Sequence, residues 1–285
     1  MERRKPKHGE ARVFRGRIYY CPRCGHLEWI DDDGELPDDY HCPLCSAQRG
    51  AMVMLGSARS RNFSIAADVV STSVLRISEP RMPPLYRHYG YVLRHPEGDI
   101  LFDAPPFFSD EAVAYLRTLA SPVALVVSHQ DFVGSAQLWA DALDVPVYMG
   151  SGEFPLSGNR LDVDCRVSGA SELLPGVQVT PVPGHSNGSI AVYWDHAPEG
   201  PVLLAGDALC VWPHEDGRRQ VAFFQNPPVA DTTRRIASAP IAVLATCTGA
   251  LTGAGPVMHE LLSMHDCCAA PYRGDRGGVW IDPSR

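Results

Sequence analysis

The chain has 285 residues, 45% of them hydrophobic and 20% charged, which suits one large globular domain and a smaller one. Its formal net charge of −8 argues against a nucleic-acid partner, because that binding depends on basic contacts to phosphate. No run of 18 apolar residues is present, so we predict no membrane span. Residues 1–16 are predicted to be a flexible basic terminus, and nine cysteines without a secretion signal favour the cytoplasm.

Two cysteine pairs near the start of the chain predict a metal site. Cys21 and Cys24 form one C-x-x-C motif, and Cys42 and Cys45 form a second. Each motif turns two thiolates toward one ion, so the spacing is typical of a tetrahedral four-cysteine site. Zinc in such a site would stabilise the fold, whereas iron would carry one electron at a time.

The residues around both pairs resemble the two metal-binding turns of rubredoxin. The second arm reads L-P-D-D-Y-H-C-P-L-C over residues 36–45, and the first reads Y-Y-C-P-R-C-G over residues 19–25. The resemblance implies a rubredoxin-like domain over residues 17–55 that holds iron, with zinc as the alternative. Residues 56–62 are small and polar and are predicted to be a linker.

Beyond this linker, short apolar runs predict strands that come first as a hairpin and then alternate with helices. The predicted elements are, in chain order, a hairpin of Tyr91–Arg94 and Ile100–Phe102, a helix capped by Ser109, a strand Val123–Val127, a helix Ser135–Leu143, strands Val145–Met149, Val177–Val182, Ser189–Trp194 and Pro201–Ala205, a helix Asp231–Ala239, a strand Ile241–Ala245 and a helix after Gly255. This order predicts an α/β fold in which sheets lie between helices.

Three polar motifs follow predicted strands, where α/β proteins usually build their sites. They are S-H-Q-D at residues 128–131, P-G-H-S-N-G-S at 183–189 and A-G-D at 205–207. In this order they resemble the metallo-β-lactamase superfamily, and the resemblance covers residues 63 to about 262. It implies an αββα sandwich in a domain of residues 63–285, with one or two metal ions between the sheets. The ligands that it implies are His129, Asp131, His185 and Asp207, and Asp103 is implied as a residue that supports them.

The first motif departs from the usual H-x-H-x-D-H form of that superfamily. Only His129 and Asp131 remain, and Cys247 stands where a final histidine is usual. The remaining donors are few for two ions but sufficient for one. Cys247, His88 and His214 are candidate additional ligands. Two histidines and one carboxylate are also the ligand types of the facial triad in non-haem iron enzymes, with Asp131 as a fourth ligand or as a hydrogen-bond acceptor for a ligand.

We therefore predict an oxidoreductase in which the rubredoxin-like iron centre passes electrons to a mononuclear or dinuclear non-haem iron site. Its partners would be a small-molecule substrate and a separate reductase. The first alternative is a zinc-dependent hydrolase of an ester, amide or thioester, with a structural zinc ribbon and with Asp131 or Asp207 as the catalytic base. The second is a non-catalytic metal or redox sensor. A homodimer is a further candidate.

Overall fold

The structure, a computed structural model, describes residues 17–21, 27–30, 34–43, 46–57, 64–80, 89–105, 108–133, 135–153, 161–213, 218–223, 240–256, 258–260 and 279–281.

The N-terminal segment forms a small antiparallel sheet in the order β2-β1-β3. Its strands are β1 (Arg17–Tyr20), β2 (Leu27–Ile30) and β3 (Val53–Ser57). Because β3 continues to Ser57, Gly56 and Ser57 belong to a strand and not to the predicted linker, and the sheet passes the predicted domain end at residue 55. The rest of that linker, residues 58–62, lies outside the described residues.

The first large sheet has seven strands in the order β10-β9-β8-β7-β6-β5-β4. They are β4 (Ala66–Val69), β5 (Val74–Ser78), β6 (Gly90–Leu93), β7 (Asp99–Phe102), β8 (Pro122–Val127), β9 (Val147–Gly150) and β10 (Cys165–Val167). Strands β7 to β10 pair in parallel, and the remaining neighbours pair antiparallel. The carboxyl ends of β7, β8 and β9 therefore meet at one edge of the sheet.

The second large sheet has six strands in the order β11-β12-β13-β14-β17-β18. They are β11 (Ser171–Leu174), β12 (Val177–Pro181), β13 (Ile190–Trp194), β14 (Val202–Gly206), β17 (Val243–Thr246) and β18 (Gly249–Thr252). A further sheet contains β15 (Leu209–Pro213), β16 (Arg219–Phe223) and β19 (Val279–Ile281). Because β14 and β17 are parallel and β12 points the same way as β14, the carboxyl ends of these three strands also share an edge.

Two helices pack on the seven-stranded sheet. Helix α1 (Asp110–Leu119) begins after Ser109, whose hydroxyl accepts a hydrogen bond from Ala112 N at 3.0 Å. Helix α2 (Ala136–Leu143) ends at Asp144, which takes a left-handed conformation with φ 56°. Both helices bury apolar side chains against the sheet, so their amphipathic pattern reflects this packing.

In the described part of the large domain, the apolar core has three layers. Leu116 and Trp139 of the helices pack on the seven-stranded sheet. Phe102 and Val192 belong to the core between the two large sheets. Phe223 belongs to a third cluster, in which β15 and β16 cover the outer face of the six-stranded sheet. The two stacked sheets of the predicted αββα sandwich are thus present, with a helical layer on one side. On the other side the described residues include a small sheet, and the predicted second helical layer falls largely outside them.

Most predicted strands and both predicted helices before residue 150 are present, with ends that shift by one or two residues. The strand expected from Val145 begins at Val147, after Pro146. The predicted helix Asp231–Ala239 lies outside the described residues, and the last helix is described only at residues 255–256 and 258–260. No helix in the described ranges combines the length and apolarity needed to cross a lipid bilayer.

Tyr91 joins the two sheets through its hydroxyl group, which donates toward Thr246 O at 2.7 Å and Gly249 O at 3.0 Å from a fully buried position. We predict that Tyr91→Phe lowers the free energy of unfolding by about 1–2 kcal/mol, because it removes a buried hydrogen-bond donor. Urea denaturation of the full chain measures the change. The control is Tyr193→Phe. The Tyr193 hydroxyl donates to Asp195 at the surface, so its loss should lower the free energy of unfolding by less than about 0.5 kcal/mol. Equal effects of the two substitutions would contradict the prediction.

Candidate metal centre

The polar motifs come together at one end of the sandwich, where strands of both large sheets finish. Residues 128–131 follow β8, residues 183–189 follow β12, and Asp207 follows β14. Ile190 N donates a hydrogen bond to Ser128 O at 2.8 Å, so the two sheets are in direct backbone contact there. The fold therefore brings segments that are far apart in sequence to one point.

Side chains from these segments form a compact donor cluster. The ligand atoms of His129, His185 and Asp207 lie within 4.8 Å of one another. His129 Nε2 is 3.4 Å from Asp207 Oδ2, and His185 Nε2 is 3.6 Å from the same oxygen. Asp131 Oδ2 approaches the same two nitrogens at 3.5 and 3.8 Å. Two imidazoles and two carboxylates thus converge, and they belong to the four residues predicted as ligands. Their role as ligands stays a prediction.

A hydrogen-bonded support holds His129 in place. Ser128 Oγ shares a hydrogen bond with His129 Nδ1 at 2.9 Å, which directs Nε2 toward the cluster. Ser128 N in turn donates to Asp103 Oδ1 at 2.7 Å. Asp103 is fully buried and has a left-handed backbone with φ 53°. Asp103 is therefore linked to the cluster through two successive hydrogen bonds, one to Ser128 and one from Ser128 to His129. Its role as a supporting residue stays a prediction.

Charge pairing sets the protonation of the cluster. Burial opposes the charged form of His129, but Asp207 and Asp131 outweigh it and raise the pKa of this imidazole well above its usual value. Burial also opposes charge on Asp131, but the adjoining imidazoles of His129 and His185 outweigh it and hold its pKa below the usual range. Burial raises the pKa of Asp103 to about 7.

Cys247 lies beside the cluster. Its N donates to Gly206 O at 3.3 Å, and its buried thiol has a raised pKa because of burial and the neighbouring Asp207 carboxylate. Within the described residues Cys247 does not join the three donors that lie mutually within 4.8 Å. Its role as an additional ligand stays a prediction. His88 and His214, the other two candidates, lie outside the described residues.

Half of the four-cysteine motif falls within the described residues. Cys21 and Cys42 are both buried and belong to one small apolar cluster with Ala47. Ser46 N donates to Cys42 O at 2.8 Å, and Ser46, directly after the second pair, has a left-handed backbone with φ 58°. Cys24 and Cys45 lie outside the described residues, and the rubredoxin-like domain stays a prediction.

Sequence reasoning missed Glu153, a buried carboxylate close to the two histidine-bearing segments. It follows β9, whose carboxyl end shares an edge with that of β8. Its Oε2 accepts from Gln130 N at 2.9 Å, and its Oε1 accepts from Gly188 N at 2.8 Å. The available signal was its place just after a predicted strand, in G-S-G-E at residues 150–153.

The sequence matches the family model of the metallo-beta-lactamase superfamily over residues 84–248, more than half of the chain. The chain belongs to the metallo-beta-lactamase superfamily. Members of this superfamily are mostly metal-dependent hydrolases. The match spans β6 to β17 and includes all four residues of the donor cluster.

Solved structures share the fold. The protein VMB-1 is 13% identical, with a TM-score of 0.52, over 73% of this chain and 99% of that chain. A metallo-beta-lactamase from Pontibacter korlensis is 15% identical, with a TM-score of 0.51, over 70% of this chain and 98% of that chain. The uncharacterized protein YmaE of Bacillus subtilis (strain 168) is 22% identical over 42% of this chain and 45% of that protein. This chain thus spans less than half of the length of that curated relative.

The raised pKa of His129 predicts that metal binding strengthens with pH. An imidazole must lose its proton to bind a metal, and the two carboxylates hold that proton in the metal-free protein. The apparent dissociation constant for Zn²⁺ should fall by up to about tenfold per pH unit below the His129 pKa and level off above it. Competition titrations with a chromophoric chelator from about pH 6 to about pH 9 measure this, with His185→Ala identifying the signal of this centre.

Asp131→Asn supplies the matched comparison. It removes one of the two carboxylates that raise the His129 pKa. The pH range over which the Zn²⁺ dissociation constant changes should therefore move to lower pH. A dissociation constant that does not change with pH in the parent protein would contradict the prediction.

Proposed function

We propose that this superfamily member is a metal-dependent hydrolase with one divalent metal ion held by His129, His185 and Asp207 and with Asp131 as the proton acceptor. The observation that carries the proposal is the convergence of these four side chains at the end of the sandwich. Superfamily membership supports the hydrolytic class, since most members are metal-dependent hydrolases.

The chemistry and spacing of the donors fit a metal ion. Donor atoms around a tetrahedral ion with bonds of about 2.1 Å lie about 3.4 Å apart, whereas adjacent donors of an octahedral ion lie about 3.0 Å apart. The nitrogen–oxygen separations among the three proposed ligands, 3.4 and 3.6 Å, are closer to the tetrahedral value. They suit a tetrahedral ion such as zinc.

Orphaned polar atoms support the same conclusion. Among the described residues, His129 Nε2 and Asp131 Oδ1 are buried and have no partner with hydrogen-bond geometry. A buried polar atom without a partner costs about 1–3 kcal/mol, so such atoms usually have a reason to persist. A bound cation would satisfy the imidazole nitrogen directly and would stabilise the paired carboxylates.

Exposure separates the roles of the two carboxylates. The Asp207 side chain is 6% exposed and that of Asp131 is 24% exposed. The more deeply buried Asp207 completes a set of three ligands with the two histidines, which is the usual number for a catalytic zinc site. Asp131 is the cluster member that solvent reaches most easily, and this favours it as the acid–base group.

A divalent metal bound there supplies a Lewis acid and lowers the pKa of water. Asp131 is positioned to take a proton from a water molecule that adds to the carbonyl carbon of an ester, amide or thioester. Once the bond from that carbon to the leaving group breaks, Asp131 returns the proton to the leaving group. His129 and His185 would hold the metal during this proton transfer, and Ser128 keeps the His129 ring oriented.

We predict that Asp131→Asn lowers kcat by about 10²- to 10⁴-fold on an acyl substrate found by screening esters, amides and thioesters with the zinc-loaded protein. Metal content should stay close to that of the parent, because three ligands remain. Asp207→Asn is the comparison and should lose the metal itself, as measured by mass spectrometry. If Asp131→Asn loses metal as completely as Asp207→Asn, Asp131 is a ligand and its role as base is wrong.

The cysteine pairs favour a second candidate, an oxidoreductase with iron at both centres. Cys21 and Cys42 share one buried apolar cluster, which suits a four-thiolate site that is shielded from solvent. Electrons from a separate reductase would enter there and pass to iron at the histidine centre. The two histidines and Asp207 are the ligand types of non-haem iron enzymes.

Metal analysis with an absorption spectrum separates the two candidates. The hydrolase predicts zinc at the histidine centre whatever metal the cysteines hold, whereas the oxidoreductase predicts iron at both centres and visible thiolate-to-iron absorption. In either case His185→Ala should remove metal from the histidine centre and leave thiolate-bound metal in place. Loss of both metals in this variant would show that the two sites are not independent.

A further inference from the structure

Glu153 is a buried carboxylate that is not one of the four residues of the donor cluster. It follows β9 and is 1% exposed. Its two oxygens accept hydrogen bonds from Gln130 N at 2.9 Å, from Gly188 N at 2.8 Å and from the Ser186 hydroxyl. A carboxylate is acceptor-only, so it satisfies donors from both sides at once.

The partners of Glu153 lie next to the metal donors. Gln130 stands between His129 and Asp131, and Ser186 directly follows His185. One oxygen of Glu153 therefore holds the segment after β8, and the other holds the segment after β12. These two segments follow strands of different sheets, so the carboxylate connects the two parts of the donor cluster through its bonds to Gln130, Ser186 and Gly188.

The backbone around Glu153 is held in turn. Arg166 of β10 donates to Glu153 O at 2.7 Å and to Gly150 O at 3.3 Å. A Cβ at Gly150 would overlap the carbonyl oxygen of Gly188, and one at Gly188 would overlap Glu153 N. The segments before Glu153 and around Gly188 therefore pack backbone against backbone, which leaves the carboxylate little freedom to move.

Glu199 has similar bonds at the opposite end of the sandwich. Its carboxylate accepts from Ser73 N at 3.0 Å and from Ser73 Oγ at 2.8 Å and so joins segments of the two large sheets. It lies in the connection between β13 and β14, and the donor cluster lies at the other ends of these strands. Glu199 thus offers the same kind of link with no donor beside it.

We propose that Glu153 is a positioning residue that sets the spacing between the His129–Asp131 segment and His185, and thereby sets the affinity and the geometry of the metal centre. The inference rests on the proposed function in one respect, that these residues hold a metal. It holds for a hydrolase and for an oxidoreductase alike.

The test is Glu153→Gln in the full chain, compared with Glu199→Gln. Glutamine keeps the size of the side chain but has one acceptor oxygen in place of two, so one of the two segments loses its bond. We expect the Zn²⁺ dissociation constant to rise about 10- to 100-fold, the usual effect of removing a residue that supports metal ligands. The visible spectrum of the Co²⁺-loaded protein should change in intensity, because the donor geometry changes. Glu199→Gln should lower the thermal midpoint and leave both metal readouts unchanged.

Ser186→Ala is a milder second variant in case Glu153→Gln does not fold. It removes one of the hydrogen bonds to Glu153, and the dissociation constant should rise about threefold to tenfold. Unchanged Zn²⁺ affinity and an unchanged Co²⁺ spectrum in Glu153→Gln, or equal metal effects of Glu153→Gln and Glu199→Gln, would overturn the inference.

His185→Ala shows whether a negative result contradicts the role of Glu153 or the proposed function. If the parent protein and His185→Ala bind Zn²⁺ and Co²⁺ identically, the histidine centre is not a metal site and the proposed function is wrong. If they differ and Glu153→Gln matches the parent, only the positioning role is wrong.

Discussion

The burial of two carboxylates against two imidazoles is the constraint on which the rest of the large domain depends. Taking a charged side chain out of water costs several kcal/mol unless it is paired. His129, Asp131, His185 and Asp207 offset this cost through one another, since the Nε2 atom of each histidine lies within 3.8 Å of both carboxylates. Because the four side chains follow strands of both large sheets, their pairing requires a fixed distance between these sheets. The packing of the sandwich has to hold the sheets at that distance.

The sheets meet this requirement through close backbone contact at one end. Gly206, with φ +54°, lies so close to Ser128 that a side chain there would clash with it. The apolar layer between the sheets, which includes Phe102 and Val192, fills the space behind the cluster. Side chains in a well-packed interior have little freedom to move, so the packing fixes the position of each donor.

The sequence reveals the parts of this arrangement that depend on local pattern. The apolar run before Ser128 predicts β8 because its residues are buried on both faces, with Leu125 toward the helices and Val126 toward the other sheet. The glycine-flanked His185 and Asp207 carry enough local signal to indicate both the family and the donor cluster. The family match over residues 84–248 confirms the family.

Features that depend on distant partners could not be predicted in this way. Glu153 has no distinctive neighbours in sequence, and its importance comes from Gln130 and Gly188, which only the fold brings near. Gly56 and Ser57 have the composition of a linker, yet they join β3 because they pair with β1. Edge strands such as β4 have little burial to impose an alternating pattern, so their sequences do not show them clearly.

The parallel pairing of β14 with β17 has a consequence for how the chain folds. These strands are separated by residues 207–242, so their pairing closes a long loop and has a high entropic cost before it is stabilised. The donors themselves extend from residue 129 to residue 207, and no short segment of the chain contains them all. A metal ion that needs all of these donors would bind the completed sandwich far better than any partly folded form, so a free metal concentration above the dissociation constant would shift the folding equilibrium toward the native state. Cellular metal supply would then act on the abundance of this protein as well as on its chemistry.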